Sequence, residues 1–371
     1  MEVDPRFSEH FRNLKQVFLY ITDRCNLECA QCIYKPSITF QMAAPEIPPD
    51  IALSLLHEFR QLGASKLSIL GGEPTLYGVQ MRNRPLFDLI SGAKGMGFSY
   101  LRIVTNGQWQ PSLLDNEGLR SLDEITFSLD GFSPETNDIL RGPNTFKRSV
   151  DNIRNAVALG YRVHVTTCIH RQLIRRGADG ELGIDRMIRF GEELGIDTIN
   201  FHDLLKAGVP MDTWTGNFDV SPEDHVRLFS EIHARVARGQ YKIKVRLPQV
   251  LVSKSDFQSN PEYFGYCPVK LGERVMVHPN GIIRICSNLI CTAYGVARWT
   301  RNSIKWDNGA TNETLDHDMH SMTPCTNRSK NRRYGEYLPV CFSFKPDQHE
   351  PIWQDELRWD ARKLSQLPLA R

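Results

Sequence analysis

Three cysteines at C-x3-C-x2-C, in Ile21-Thr22-Asp23-Arg24-Cys25-Asn26-Leu27-Glu28-Cys29-Ala30-Gln31-Cys32, constrain this chain more than any other stretch. Such crowding of thiols is metal-site spacing. A structural zinc takes four protein ligands, whereas an iron–sulfur cube can be held by three thiolates with one iron left open. Three ligands and no fourth nearby favour the cube; from spacing alone, a zinc knuckle or unrelated buried thiols stay open as alternatives. The preceding run, residues 17–22, is β-branched and aromatic, so the cysteines leave the C-terminal end of a buried strand, where α/β barrels carry their chemistry.

The 371 residues exceed one comfortable core, and 41% hydrophobic residues suffice to bury a large one plus an appendage. Net charge is +2, from 45 basic and 43 acidic residues, which gives no electrostatic case for nucleic acid as a partner. A basic run at 327–333 reads as a solvated loop, with a phosphate or acidic-substrate contact as the alternative. No apolar stretch approaches membrane-spanning length and the N-terminus lacks a signal core, so no membrane partner is expected and the chain should be cytoplasmic. Nine cysteines in such a chain point to ligands or catalytic thiols rather than disulfides.

Strand and helix signals alternate from the cysteine loop onward. Helical spacing covers 51–59, 113–122, 147–159 and 185–194; strand signals cover 66–70, 100–105, 124–129, 162–169 and 198–201. Six such units predict a parallel α/β sheet. A helix over 221–238 and a strand over 241–246 close its edge. Beyond about residue 250 turns, polar residues and cysteines dominate.

At this point the chain resembles the radical SAM superfamily, whose defining motif is a C-x3-C-x2-C loop after the first strand. The resemblance implies a partial (β/α)6 TIM-like barrel in which Cys25, Cys29 and Cys32 hold a [4Fe-4S] cluster. The cluster's open iron binds the amino and carboxylate groups of S-adenosylmethionine. One departure is Gln31, where the family usually has an aromatic residue; adenine packing then falls to Tyr34. Gly71-Gly72-Glu73-Pro74 ends a strand, where glycines allow close backbone approach and a carboxylate accepts from an ammonium. It matches the family motif for the methionyl amine, with Glu73 as carboxylate. Asn106, in Thr105-Asn106-Gly107, and Ser128 and Asp130, in Phe127-Ser128-Leu129-Asp130-Gly131, resemble ribose-side contacts. Ser128 and Asp130 are in phase along the strand, and a helix cap is the alternative for Asp130. Arg141, expected in a loop that Gly142-Pro143 holds near the rim, matches the arginine reaching the cofactor carboxylate. Cys168 ends the fifth strand; a buried inert thiol is the ordinary reading, and a hydrogen-atom donor to a substrate radical the functional one. His202, just past strand six, is a candidate substrate contact.

Cys267 is followed by Gly281 and Cys286 as C-x13-G-x4-C, with a hairpin signal at Pro279-Asn280-Gly281. This resembles the opening of SPASM or twitch subdomains, which bind auxiliary [4Fe-4S] clusters. Cys325 and Cys341 complete four ligands, with Cys291 as competitor, and zinc is the alternative occupant. The dense C-x2-C-x5-C-x3-C block of full SPASM domains is absent, which favours one auxiliary cluster. The expected divisions are an extension at 1–16, the barrel at 17–250, an auxiliary-cluster subdomain at 251–345 and a tail or helix at 346–371.

The mechanism implied by the resemblance begins with an electron from an external reductant such as flavodoxin or ferredoxin. S-adenosylmethionine is cleaved to methionine and a 5′-deoxyadenosyl radical, which takes hydrogen from a substrate carbon; the auxiliary cluster then accepts an electron. Only about sixteen residues precede the first strand, short for a leader-peptide recognition domain, so the expected substrate is a small molecule of the sugar or aminocyclitol kind in natural-product biosynthesis, oxidised or epimerised. Crosslinking or epimerisation of a ribosomally made peptide is the runner-up, and a non-catalytic iron–sulfur electron carrier the alternative of another class.

Overall fold

The computed structural model describes residues 1–34, 44–204, 216, 218, 220–247, 250–253, 255, 272–285, 295–307 and 337–340. After β1 (Glu2–Val3) and α1 (Pro5–His10), the chain lays down β2 (Gln16–Tyr20), β3 (Lys66–Leu70), β4 (Tyr100–Thr105), β5 (Glu124–Ser128), β6 (Val163–Ile169), β7 (Thr198–Asp203) and β8 (Lys244–Arg246). These seven strands are parallel and adjacent in that order. Their crossovers carry α2 (Pro49–Gln61), α3 (Arg84–Gly95), α4 (Pro134–Arg141), α5 (Thr145–Ala158), α6 (Arg171–Ile174), α7 (Gly183–Leu194) and α8 (Pro222–Ala237). The sheet runs from β1 to β8 without closing, so it is the expected partial barrel.

Because side chains alternate across a strand, each strand has two chemistries. Leu67, Ile69, Ile103 and Phe127 join Leu55, Leu56 and Phe59 of α2 in one buried apolar cluster. Each such fully buried side chain contributes roughly 1.5–3 kcal/mol. The alternate positions are polar. Gln16 donates to Ser68, Arg102 donates to the same Ser68 hydroxyl, Arg102 pairs with Glu124 at 3.7 Å, and His164 Nδ1 lies 2.8 Å from Glu124. This belt crosses β2 to β6. Burial pushes the Glu124 carboxyl up, yet His164, Arg102 and Thr126 together hold it at about 2.

Several expectations differ from what is observed, among them the strand of 198–201, which runs to Asp203 so that His202 lies within it rather than past it. The span 113–122 is not an α-helix but two 3₁₀ turns, Pro111–Asp115 and Glu117–Leu119, because Asn116 turns back to accept from the Gly118 amide. Arg141 ends α4 rather than lying in a loop, and the helix stops there because Gly142 adopts φ +97. The edge strand is Lys244–Arg246, shorter than the 241–246 expected.

On the other side of β2 the same sheet continues through β10 (Arg274–Val277), β11 (Ile282–Arg284), β12 (Ala297–Trp299), β13 (Ser303–Trp306) and finally β1. β10 runs parallel to β2, and β10 to β13 form an antiparallel meander. The first turn is the Pro-Asn-Gly hairpin, with Gly281 at φ +85. A separate pair, β9 (Val250–Ser253) and β14 (Tyr337–Val340), is antiparallel. No helix among the described residues is long and apolar enough to cross a membrane.

Candidate active site

The cysteine loop leaves β2 along the end of β3. Ile21 N–H donates to Leu70, Gly72 N–H to Thr22 at 2.7 Å and Glu73 N–H to Arg24 at 2.7 Å. This ladder explains both glycines. A Cβ at Gly71 would stand 2.7 Å from the Thr22 carbonyl oxygen, and one at Gly72 would overlap the Arg24 carbonyl. The approach they permit is that of the cysteine loop's backbone. The far side of the loop rests on α4, where Ala30 N–H donates to Leu140 and Cys29 Sγ lies 3.9 Å from the Arg141 carbonyl.

Glu73 is 1% exposed and opens a 3₁₀ turn that starts at Pro74. Its carboxylate accepts from the Thr75 amide and hydroxyl, the Thr105 hydroxyl at 2.8 Å and the Asn106 amide at 2.7 Å. All four donors are neutral. Burial therefore prevails and pushes its pKa above the ordinary carboxylate range. No cation pairs with it among the described residues.

Asp130, fully buried, lies across the loop from Glu73. Its Oδ2 is 2.7 Å from Arg141 Nε and accepts from Gln31 Nε2 at 2.6 Å, while Oδ1 accepts from the Cys168 amide at 2.7 Å. Its backbone N–H donates to Asn137, and His170 Nε2 meets its carbonyl at 2.8 Å. It caps no helix; Ser133 does that for α4. The amide oxygen of Gln31 is buried with no partner among the described residues.

Cys168 sits partly buried against the small cluster of Leu140, Leu204 and Phe218. Burial, and Asp130 next, raise its thiol well above the ordinary range. His202 is in register with it and exchanges a 3.1 Å contact with Asn200. Ser128 is half-buried at the end of β5. Tyr34 places its hydroxyl 2.9 Å from that of Tyr20, whose ring stacks on His278 at 4.4 Å and 19°. His278 is held neutral, its pKa lowered to about 3 by burial and by Arg284. The sequence reading missed Asn26, Asn137, His170 and His278. Only Asn26, next to Cys25, carried a local signal. Cys267, Cys286, Cys291, Cys325 and Cys341 lie outside the described residues.

The cysteines fit a cluster better than a single ion. Burial and then the Glu73 charge push Cys25 up to about 12, and burial pushes Cys29 up to about 11, with Cys32 adding to both. The thiols thus lie within electrostatic reach of one another. Yet no three His, Cys, Asp or Glu side chains among the described residues converge as a single metal ion needs. Thiolates that bind different irons of one cube need no such convergence. Loading must displace protons from buried thiols, which a cluster's charge drives.

Comparison with known proteins agrees. A GTP 3′,8-cyclase of Limosilactobacillus fermentum is 29% identical over 210 residues, 56% of this chain and 59% of that protein. A probable GTP 3′,8-cyclase of Saccharolobus solfataricus is 23% identical over 279 residues, 74% of this chain and 83% of that protein. Streptococcus suis SuiB, solved with S-adenosylmethionine bound, shares the fold with a TM-score of 0.57 and 16% identity, covering 86% of this chain and 68% of that one. Residues 19–173, with the cysteine loop at the end of β2, match the Radical SAM superfamily, so this stretch is a radical SAM domain, of the family that uses a [4Fe-4S] cluster and S-adenosylmethionine.

Proposed function

We propose that this radical SAM enzyme abstracts hydrogen from a small molecule held in the open barrel. The observation that carries the reading is Glu73, a buried carboxylate beside the cysteine loop with four neutral donors and, among the described residues, no cation. An ammonium group is the complement it lacks, and the methionyl amine of the cofactor supplies one. When bound, cluster and cofactor supply a 5′-deoxyadenosyl radical.

The chain's own residues orient and protect that chemistry. Cys25, Cys29 and Cys32 hold the cluster; Glu73 receives the amine, with Gly71, Gly72 and Pro74 fixing its position. Arg141 turns its remaining guanidinium edge to the cofactor carboxylate, while Ser128 faces the ribose and Tyr34 the adenine. The barrel excludes water and fixes the substrate carbon. Cys168, kept protonated, is placed to return a hydrogen atom, which would make the reaction an epimerisation; an auxiliary cluster on Cys267, Cys286, Cys325 and Cys341 would instead make it an oxidation.

Support for a small molecule over a peptide comes from sequence relatives named for a nucleotide reaction, at an identity that leaves the substrate of this chain to experiment. Anaerobically reconstituted protein given S-adenosylmethionine and dithionite should release 5′-deoxyadenosine, and a Cys25→Ala control should not. No difference between the two would sink the enzyme reading. Adding GTP, then sugar and aminocyclitol panels, then peptides, and watching for consumption, ranks the substrate classes. Iron analysis of the variant lacking the first three cysteines should leave about four irons if one auxiliary cluster is present.

A further inference from the structure

Every polar group of Asn106 is committed to the cysteine loop or its supports. Its backbone N–H donates to Glu73 and its carbonyl accepts from Ser149 at 3.0 Å. Its side-chain oxygen accepts from the Gln108 amide at 2.8 Å. Its side-chain nitrogen donates to Asn26 Oδ1 at 2.7 Å and lies 3.9 Å from Cys25 Sγ. Asn26 closes the ring by donating to the Gln108 carbonyl at 3.1 Å. The amide is therefore locked at the sulfur of a cluster ligand, with the Glu73 carboxylate fixed by the same residue.

Resting on the reading that Cys25 ligates the cluster, we propose that Asn106 is a positioning residue that sets the cluster's reduction potential by aiming an N–H at the Cys25 thiolate. Reduction adds one electron from an external one-electron donor, breaks no bond, and places more negative charge on the ligand sulfurs. An N–H aimed at that sulfur stabilises the reduced form and raises the potential; the Glu73 carboxylate opposes it. Asn106 holds both influences at fixed distance from one thiolate, and its amide is oriented toward Cys25 rather than toward a ribose.

The test is an anaerobic redox titration of reconstituted protein. It follows the electron paramagnetic resonance signal that changes when S-adenosylmethionine is added, which separates the loop cluster from any other. In Asn106→Ala the ratio of reduced to oxidised cluster at the wild-type midpoint should fall about threefold, about 28 mV at about 59 mV per tenfold for one electron. Asn106→Asp, which removes the donor and adds charge, should fall further. Asn26→Ala, which loosens the clamp and keeps the donor, should retain iron and shift less than either. A wild-type midpoint in fully loaded Asn106→Ala overturns the proposal, as does failure of both Asn106 variants to retain iron, which marks a clamp and nothing more. Absence of any S-adenosylmethionine-responsive signal in the wild type overturns the cluster reading itself.

Discussion

Glu73 meets the start of the cysteine loop at Arg24 and Asp130 its end at Gln31; both are buried, and they are compensated differently. Asp130 meets a guanidinium, a side-chain amide and a backbone amide; Glu73 meets hydroxyls and backbone amides alone. The Asp130 carboxylate finds its counter-charge within the chain, which ties α4 and β6 to the loop and is compatible with Arg141 also meeting the proposed cofactor carboxylate. The Glu73 carboxylate pairs with no cation among the described residues, the observation on which its proposed role as receptor for the cofactor's amine rests.

The largest effect should follow from breaking the Asp130 side. Asp130→Ala leaves Arg141 charged and buried, which typically costs about 3–5 kcal/mol. Urea unfolding should show that loss, and Asp130→Ala combined with Arg141→Met should recover part of it. A single-variant loss below about 1 kcal/mol would mean the pair is not what fastens α4. Glu73→Gln should be milder, about 1–3 kcal/mol, because its new amide faces a donor. Its larger consequence is for affinity: S-adenosylmethionine should bind at least about tenfold more weakly, about 1.4 kcal/mol by equilibrium dialysis. Unchanged affinity would make Glu73 another fastening group.

A third contrast lies in acid. Glu124 is depressed to about 2 in the folded chain, so its stabilisation is complete above its ordinary value of 4.5 and is lost as pH falls toward 2. Glu73, raised on folding, has the opposite sign: its contribution is complete below 4.5 and is lost as pH rises through its folded value. Glu124→Gln should therefore lower stability at pH 7, with the deficit shrinking as pH falls from 4.5 toward 2, whereas Glu73→Gln should look worst in acid. Parallel unfolding-versus-pH curves for the two variants would remove the distinction.

Which parts of this site were readable from sequence follows from distance along the chain. The cysteine loop, the glycines and Glu73 form contiguous motifs, each at a strand end that the apolar runs of 17–22 and 66–70 mark. The helix Arg84–Gly95 was passed over although Leu86, Leu89, Ile90 and Ala93 repeat at helical spacing, because Gly92 and Gly95 lower its propensity. The polar belt under the site is invisible in sequence because Glu124 and His164 belong to different strands and meet only through sheet register. Gln31 and Asp130 are 99 residues apart, so a departure from the family's aromatic position gave no hint of its partner.

That departure gives the smallest and most discriminating prediction. Gln31 makes one hydrogen bond to the Asp130 carboxylate, worth about 1.5–3 kcal/mol as a bond to a charged group, and buries one amide oxygen with no partner, which costs about 1–3 kcal/mol. Gln31→Met keeps the volume and removes both, so the two changes should nearly cancel, leaving stability within about 1 kcal/mol of wild type. Asp130 still has Arg141 and the Cys168 amide, so the loop should hold its iron. Gln31→Glu keeps the shape and sets a second carboxylate against Asp130, and should lose the loop's iron along with stability. If Gln31→Met were instead as damaging as Asp130→Ala, the amide rather than the guanidinium would be the partner that holds Asp130 in place.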